Sequence, residues 1–477
     1  MVAATTSAIP IWTPSGTSDP FGEPSPLPEI TPVPVAPPVL AGWPITLQSG
    51  RNGGFDIGPD GTVYLPDLPA LDATGHPRAD WLVLPDGSRA QPFGFGSDGS
   101  IYAGMTTPDG ATQLVWVFGP DGKRRTSSAL EMASWPSYVP GPGGSVYVVL
   151  SASPETLPSP QIVILRPDGS SSSFDIPGTP RQALVGNDGT IYLSVPPSDQ
   201  NAVGNSLQAI GPGGQAAPAP AGLWSGMALS PNGTLYAWAY DLDKDSDSNV
   251  TRSRMAAFGS DGKPKAGWPV TFAGSMSAPA FGPDGTAYIV LGYSKVVALA
   301  PNGATRGGWP VTLPAGEAAL SETGGWHAPD VAQAPVVDDR GAVYVAGTYG
   351  QGQAIVAAFD PRGKTVPGWP IRSDSGLADF WFGYVGGYHT LARPAFIRTP
   401  SGEARLYVAL NDHISAVGQD GKVLAGWPLA RPRVYLGWRA MQPTLDGGLI
   451  VVGEWVDDGS LTYSQILRLA PDGQTVH

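Results

Sequence analysis

Three segments in the second half of the chain combine aromatic, histidine and arginine residues that could form a binding or catalytic surface. The first holds Trp326, His327 and Asp330. The other two hold the larger part of the set, namely Trp381, Tyr384, Tyr388, His389, Arg433, Tyr435, Trp438 and Arg439. Connecting segments are normally polar, whereas exposed aromatic rings mark sites for sugars, peptides or partners. We therefore predict a ligand-binding surface here, and the alternative is that the same rings plug a central channel and pack between repeat units.

A second cluster consists of four aspartates at alternate positions, namely Asp241, Asp243, Asp245 and Asp247. Carboxylates with this spacing on one loop can converge on a hard cation such as calcium. Arg252 stands where an EF-hand loop would need its bidentate glutamate, so the pattern is not an EF-hand. The sequence therefore predicts either a structural calcium ion at these four residues or a solvated acidic loop.

Motifs for known catalytic chemistry are missing from the sequence. The chain has five histidines, but it has no H-E-x-x-H zinc element and no G-x-S-x-G nucleophile elbow. It has no cysteine, which excludes disulfides, thiolate metal sites and cysteine nucleophiles. A net charge of −13 argues against binding to nucleic acid, which needs clustered Lys and Arg. We accordingly assign no catalytic residue, and no apolar run is long enough for a membrane span.

The elements that must position these residues are indicated by a repeat. Nine times, a Gly-rich turn such as Pro59-Asp60-Gly61 is followed by a short β run, usually with one tyrosine. The repeated position is occupied by Tyr64, Tyr102, Tyr147, Tyr192, Tyr236, Tyr288, Tyr344, Tyr407 and Ile450. Each unit has a second tight turn, so it contains four strands. This pattern predicts an all-β fold, a single closed β-propeller of nine four-stranded blades.

The turn pattern also predicts two different faces. Because strands alternate in direction, the two tight turns of every unit lie on one face, and all longer connections lie on the other. The aromatic and arginine segments are such longer connections, between units six and nine. Their residues should therefore lie side by side on the long-loop face, where a rigid scaffold presents binding groups.

The N-terminal region divides into two parts. Residues 1–37 are rich in Pro, Ser and Thr, which predicts a linker or disordered tail ahead of a propeller domain at 38–477. The segment Val39 to Pro44 repeats Val423 to Pro428, a fourth strand, while the ninth unit ends before its own fourth strand. The N-terminal copy is therefore predicted to complete the last blade, which would remove an open sheet edge. A stalk-like tail favours an exported, extracellular protein.

The residues Tyr288, Ala298, Leu299, Gly303 and Trp309 resemble the PQQ-like β-propeller repeat family of the quinoprotein-dehydrogenase-like superfamily. The Gly-Trp-Pro elements resemble FG-GAP repeats of secreted bacterial proteins. This resemblance implies a propeller and an exported bacterial protein, and it offers eight blades as an alternative count, with an irregular first unit. Quinoproteins of this superfamily hold their quinone with calcium and, typically, a vicinal cysteine pair. Cysteine is absent here, so we expect no PQQ.

Together these features predict a non-catalytic, exported propeller that serves as a binding or assembly scaffold for a protein or polysaccharide partner. The main alternative is a polysaccharide lyase or hydrolase, with His327 or His389 as the base and Arg439 neutralising a carboxylate. A divergent quinone or sugar oxidoreductase is the other alternative. A channel lined by aliphatic side chains would favour the scaffold, whereas a channel holding His, Arg and two carboxylates would favour an enzyme.

Overall fold

The described part of the chain is almost entirely β-structure. The structure, a computed structural model, describes residues 45–47 and 56–470, with several short gaps and two longer ones at 314–333 and 373–394. These residues form nine antiparallel sheets, which we number 1 to 9 in chain order. One 3-10 turn, Pro142–Gly144, is the single helical element in the described ranges, and none of their helices is long and apolar enough to span a membrane.

The first four sheets follow the N-terminal strand β1 (Ile45–Leu47). Sheet 1 has two strands, β2 (Asp56–Ile57) and β3 (Val63–Tyr64). Sheet 2 contains β4 (Gln91–Phe95), β5 (Ile101–Thr106), β6 (Gln113–Phe118) and β7 (Leu130–Met132). Sheet 3 contains β8 (Ser137–Pro140), β9 (Val146–Leu150), β10 (Gln161–Leu165) and β11 (Ser171–Asp175). Sheet 4 contains β12 (Gln182–Val185), β13 (Ile191–Val195), β14 (Asn205–Ile210), β15 (Ala216–Ala217) and β16 (Leu223–Trp224).

The remaining five sheets have four strands each. Sheet 5 contains β17 (Gly226–Leu229), β18 (Leu235–Asp243), β19 (Ser246–Phe258) and β20 (Val270–Ala273). Sheet 6 contains β21 (Ala280–Phe281), β22 (Ala287–Leu291), β23 (Lys295–Leu299) and β24 (Val311–Thr312), and sheet 7 contains β25 (Val336–Val337), β26 (Val343–Tyr349), β27 (Gln353–Phe359) and β28 (Ile371–Arg372). Sheet 8 contains β29 (Ala395–Arg398), β30 (Ala404–Ala409), β31 (His413–Gly418) and β32 (Leu429–Ala430). Sheet 9 is formed by β33 (Tyr435–Pro443), β34 (Leu449–Val456) and β35 (Thr462–Leu469), with β1 as its fourth strand.

Neighbouring sheets are arranged as propeller blades. The order of strands within sheets 2 to 8 follows the chain, so the first strand is one edge and the last strand is the other. First strands of successive sheets contact each other, as β4 does with β8, β21 with β25 and β29 with β33. The first strands therefore form a common inner side, and the last strands lie outermost.

The hydrophobic core lies between the sheets. A separate cluster of buried side chains occupies each junction from sheets 1 and 2 to sheets 8 and 9. Between sheets 6 and 7, for example, Tyr288, Val296 and Trp309 pack on Val343 and Phe359. The eight tyrosines and Ile450 that occupy the repeated position all lie on the second strands of their sheets, as the sequence predicted. Each of sheets 2 to 8 thus buries both faces against its neighbours, as repeat architectures require.

The two sets of tight turns lie on one face, which confirms that prediction. A Cβ on Gly285, in the first turn of sheet 6, would lie 3.5 Å from Pro301 in its last turn. In sheet 7 the equivalent distance, from Gly341 to Pro361, is 3.3 Å. We call this side the turn face and the opposite side the loop face.

The N-terminal strand completes sheet 9. Strand β1 pairs antiparallel with β35, and Ile45 lies opposite Ile466. It occupies the outermost position that the fourth strand fills in other sheets. The predicted pairing of the N-terminal segment with the last unit is therefore confirmed.

Sheet 1 is irregular. Trp81, which is not part of a Gly-Trp-Pro element, packs at its junction with sheet 2. Beyond β3, only isolated bridges such as Leu71 with Pro77 extend the sheet. Trp81 donates a hydrogen bond from Nε1 to Tyr64 Oη at 2.9 Å, and it packs where a Cβ of Gly122 in sheet 2 would stand. Leu82 beside it has φ of 53°, a conformation that is rare for a bulky residue. At this junction Trp81 therefore makes the contact between sheets, although the Gly-Trp-Pro sequence is absent.

The Gly-Trp-Pro elements connect sheets 5 to 8 to the sheets that follow them. Trp309 packs edge-on against Tyr288 of its own sheet, with ring centroids 5.4 Å apart. Its Nε1 donates to the carbonyl of Pro361 in the last turn of sheet 7, at 3.2 Å, and Trp268 donates likewise to Pro301 at 3.0 Å. Trp268 and Trp309 therefore each join the core of one sheet to the backbone of the next.

Candidate binding surface

The loop face is where the predicted site residues are anchored. The segments 314–333, 373–394 and 431–434 each join the outermost strand of one sheet to the innermost strand of the next. They begin after β24, β28 and β32 and end at β25, β29 and β33, so their ends lie at equivalent places in neighbouring sheets. The predicted residues within these segments lie outside the described residues, and they are Trp326, His327, Trp381, Tyr384, Tyr388, His389 and Arg433.

The last three predicted residues lie in a strand rather than in a loop. Tyr435, Trp438 and Arg439 belong to β33, which pairs with β34 from Tyr435 opposite Trp455 onward. The sequence placed them in a connecting loop, and this was wrong because the eight residues of β34 pair along β33 as far as Tyr435. The register shifts between Trp438 and Ala440, so Arg439 is the extra residue of a β-bulge. Bulges re-aim side chains and are common beside functional sites.

The aspartate cluster also lies in a strand pair rather than in a loop. Asp241 and Asp243 are in β18 and Asp247 is in β19, while Asp245 lies outside the described residues. The carboxylate of Asp241 accepts a hydrogen bond from Arg252 Nε at 2.8 Å. In the described ranges no three His, Asp or Glu side chains converge as metal ligands would. Calcium stays a prediction of the sequence, and Asp241 is already neutralised by Arg252.

The described inner strands carry mainly apolar side chains that are only partly buried. In sheets 4, 6, 7 and 8 these half-buried residues are Ala183, Leu184, Val185, Ala280, Phe281, Val336, Val337, Phe396 and Ile397. Gln182 is half-buried and is held by the next inner strand, because its Nε2 donates to Met227 O at 3.0 Å and its Oε1 accepts from Met227 N at 3.3 Å. In these four sheets the inner strands are therefore mainly apolar, and most of the named side chains pack on the clusters between sheets.

One charged side chain on these inner strands, Arg398, is also engaged. It forms an ion pair with Asp339 in the first turn of sheet 7, and Arg398 Nη1 donates to Gly402 O at 2.7 Å. The hydrogen bonds from Arg398 hold the pKa of Asp339 below its usual value. A carboxylate held in its charged form by a guanidinium is a poor general acid or base near neutral pH. The pair joins sheets 7 and 8 on the turn face.

A buried carboxylate reinforces the same junction. Asp338, which is 3% exposed, accepts hydrogen bonds from the backbone N–H groups of Arg340 at 2.9 Å and Ala342 at 2.8 Å. Gln419 of sheet 8 donates to it from Nε2 at 3.0 Å. Sequence reasoning missed this residue, because its partner lies 81 positions away along the chain. Its donors are backbone amides, the Tyr344 hydroxyl at 3.3 Å and a turn side chain, which indicates a structural role.

Comparison with known proteins supports the fold and does not assign a family. No family model matches the chain, and no curated protein sequence matches it. A eukaryotic initiation factor structure is similar over 90% of this chain and 96% of its own, with 11% identity and a TM-score of 0.54. The Dos1 propeller (9% identity, 90% and 95% covered, TM-score 0.42) and virginiamycin B lyase from Staphylococcus aureus (12%, 70% and 94%, 0.36) are also similar. At such identities the similarity concerns the fold alone, so the chain is a β-propeller protein whose function must be argued from its own residues.

Proposed function

We propose that this protein is a non-catalytic, exported β-propeller that acts as a binding or assembly scaffold for a polysaccharide or protein partner. The observation that carries the proposal is the character of the inner strands. In sheets 4, 6, 7 and 8 their described side chains are mainly aliphatic or aromatic, while Gln182 and Arg398 are held by neighbouring strands. A surface of this kind offers apolar contact, but no poised acid, base or nucleophile. Support for export comes from the Pro-, Ser- and Thr-rich residues 1–37.

The binding surface in this proposal is the loop face at sheets 6 to 9. Support comes from the three long connections, whose anchoring strand ends lie in adjacent sheets. Aromatic and Arg residues dominate the energetics of interfaces, and the predicted set is composed mainly of them. Tyr435 and Trp438 lie at the start of β33, where that strand leaves the 431–434 connection. A rigid strand holds such side chains more accurately than a loop does.

We further propose that nine sheets close into a ring. In sheet 8, Ala416 and Tyr407 face sheet 9. The residues at the equivalent positions of sheet 9 are Arg468 and Ile450. These two residues face away from sheet 8, yet they are 4% and 0% exposed. Val63 of sheet 1, which is 0% exposed, is equivalent to Leu406, a residue that faces the preceding sheet. Burial of both end faces supports their packing against each other.

The binding proposal is tested by a ligand screen with matched variants. Wild-type protein is applied to a glycan array and used for pull-down from the secreted fraction. Truncating an interface hot spot costs about 2 kcal/mol or more, roughly thirtyfold in affinity, so Trp381→Ala with Trp438→Ala should abolish capture. Arg433→Ala with Arg439→Ala should weaken it.

The control removes the same charge from the turn face, with Arg340→Ala and Arg362→Ala, two exposed residues. This pair should bind like wild type. Ligands that every variant retains would show that the binding surface lies elsewhere. Turnover of a polysaccharide by wild type would instead favour the enzyme alternative.

A further inference from the structure

Strand β11 is an unusual edge among the outermost strands that the structure describes. The fourth strands β15, β24, β28 and β32 have two residues each, β7 has three and β20 has four. Strand β11 has five residues, all paired with β10 in continuous register from Gln161 opposite Asp175 to Leu165 opposite Ser171. It has one neighbour, so its other side is an edge of sheet 3. A regular, uncovered edge is a template for adding another strand.

Three usual protections of an edge, namely Lys, Pro and a β-bulge, are missing from β11. Its sequence is Ser-Ser-Ser-Phe-Asp, with no Lys, no Pro and no bulge. Four of its five residues are exposed, while Phe174 packs inward against the sheet 4 turn at Gly214. Natural proteins normally block long edges with one of these devices. The strand is therefore open to backbone pairing.

The hydrogen-bond pattern shows which backbone groups of β11 point outward. Ile176 N donates to Pro160 O at 2.9 Å, and Arg166 N donates to Ser170 O at 3.0 Å, so even-numbered residues bond toward β10. In an antiparallel ladder the alternation leaves odd-numbered residues facing the other way. The N–H and C=O groups of Ser171, Ser173 and Asp175 thus point away from sheet 3.

The outward N–H and C=O groups of one β11 can pair with the same groups of a second copy. If a second β11 pairs antiparallel across a twofold axis at Ser173, then Ser171 of each copy lies opposite Asp175 of the other. The three residue pairs exchange about six backbone hydrogen bonds. Each Asp175 carboxylate, which Gln161 Nε2 fixes from β10 at 2.8 Å, meets a serine hydroxyl rather than another charge. Like charges opposite each other would be unfavourable, and this register avoids them.

We propose that β11 is a self-association edge through which two copies of this chain join sheet 3 to sheet 3 in one continuous antiparallel sheet. The contact is isologous, so it closes at a dimer. It buries less surface than a standard protein interface, so the association is weak and reversible. This proposal is independent of the ligand-binding function, because β11 lies on the outer edge and not on the loop face.

Sedimentation velocity over a wide range of protein concentration tests the proposal. Ser171→Lys places Lys opposite Asp175 of the other copy, and Ser171→Asp places Asp there. Two symmetric charge pairs should shift the dimer dissociation constant about tenfold, tighter for Lys and weaker for Asp. Ser173→Pro removes an outward N–H without a ladder bond to β10, so it should abolish the dimer while leaving the melting temperature nearly unchanged.

The matched control is Thr271→Asp, which adds the same charge to an exposed position of β20, another outermost strand. It should associate like wild type. Hydrogen exchange gives a second readout, because the amides of Ser171, Ser173 and Asp175 should gain protection as concentration rises. A protein that stays monomeric at every concentration, or a dimer that both Ser171 variants leave unchanged, would overturn the proposal.

Discussion

Gly308 of sheet 6 and Gly363 of sheet 7 lie against each other at the junction of the two sheets. A Cβ on Gly308 would overlap the carbonyl oxygen of Arg362, and a Cβ on Gly363 would overlap that of Gly308. The pairs Gly267 with Gly303 and Gly368 with Gly421 repeat this contact at neighbouring junctions. The glycine of the Gly-Trp-Pro element and the glycine of the next tight turn are thus two halves of one contact between sheets.

We predict that Gly308→Ala destabilises the protein by about 2 kcal/mol or more, because φ is +87° and the new Cβ would meet backbone that cannot move aside. Gly307→Ala is the matched control, since a Cβ there has open space around it. Urea unfolding of both variants measures the difference. Equal stabilities would show that the close approach of these backbones is not required.

The tryptophan hydrogen bond can be isolated by comparing two equivalent positions. Trp309 Nε1 donates to Pro361 O, whereas Trp369 Nε1, also buried, has no hydrogen-bond partner in the described structure. Phe replacement should therefore cost about 1 kcal/mol more at Trp309 than at Trp369, the net value of one hydrogen bond. Thermal unfolding of the two variants provides the comparison. A larger loss at Trp369 would contradict the assigned role of the bond.

The N-terminal strand provides a third prediction. Deleting residues 1–47 removes β1 and leaves β35 as an open edge, so the melting temperature should fall and the protein should aggregate. Deleting residues 1–36 leaves β1 intact and is the control, which should behave like the full chain. If the longer deletion is as stable and soluble as the shorter one, then β1 contributes nothing to sheet 9.

High pH should destabilise the fold through buried tyrosines. Burial raises the pKa of Tyr240 and of Tyr288 to about 12 in each case. Below pH 10 both the folded and the unfolded chains keep these phenols neutral, so stability is unaffected. Between about pH 10 and 12 the unfolded chain ionises first, and the free energy of unfolding falls by at most about 1.4 kcal/mol per pH unit for each tyrosine. Tyr288→Phe should flatten this decline in alkaline urea titrations, and an unchanged slope would refute the assignment.

The sequence was sufficient for features that depend on local residues. Tight turns need Gly, Asp or Asn at fixed places, so the nine repeats, with their tyrosines on the second strands, were predicted from the sequence. The shortness of the fourth strand of sheet 6, which covers only Val311–Thr312, was not predicted. The reason is that Gly308 and Trp309 turn away from β23 to contact sheet 7, and a contact between sheets has no local sequence signal.

The candidate site was predictable only in its general position. Topology required the long connections to share a face, and their anchoring strands do. The length of β33 and the bulge at Arg439 could not be foreseen, because they depend on pairing with β34. The Asp241 to Arg252 ion pair was missed for the same reason, since it depends on the pairing of β18 with β19, which has 13 residues and is the longest strand that the structure describes.

The proposed closure of the nine sheets into a ring is tested most directly by distances between spin labels, which the absence of native cysteine makes straightforward. Asp86, Asp168 and Asp420 are exposed and occupy equivalent last turns of sheets 1, 3 and 8. Labels at Asp86→Cys and Asp168→Cys give the separation of two sheets that are two places apart along the chain. If sheet 9 packs on sheet 1, sheets 8 and 1 are also two places apart. Labels at Asp420→Cys and Asp86→Cys should then give the same distance. A clearly longer distance for the second pair would show that the ring is open and would contradict the account.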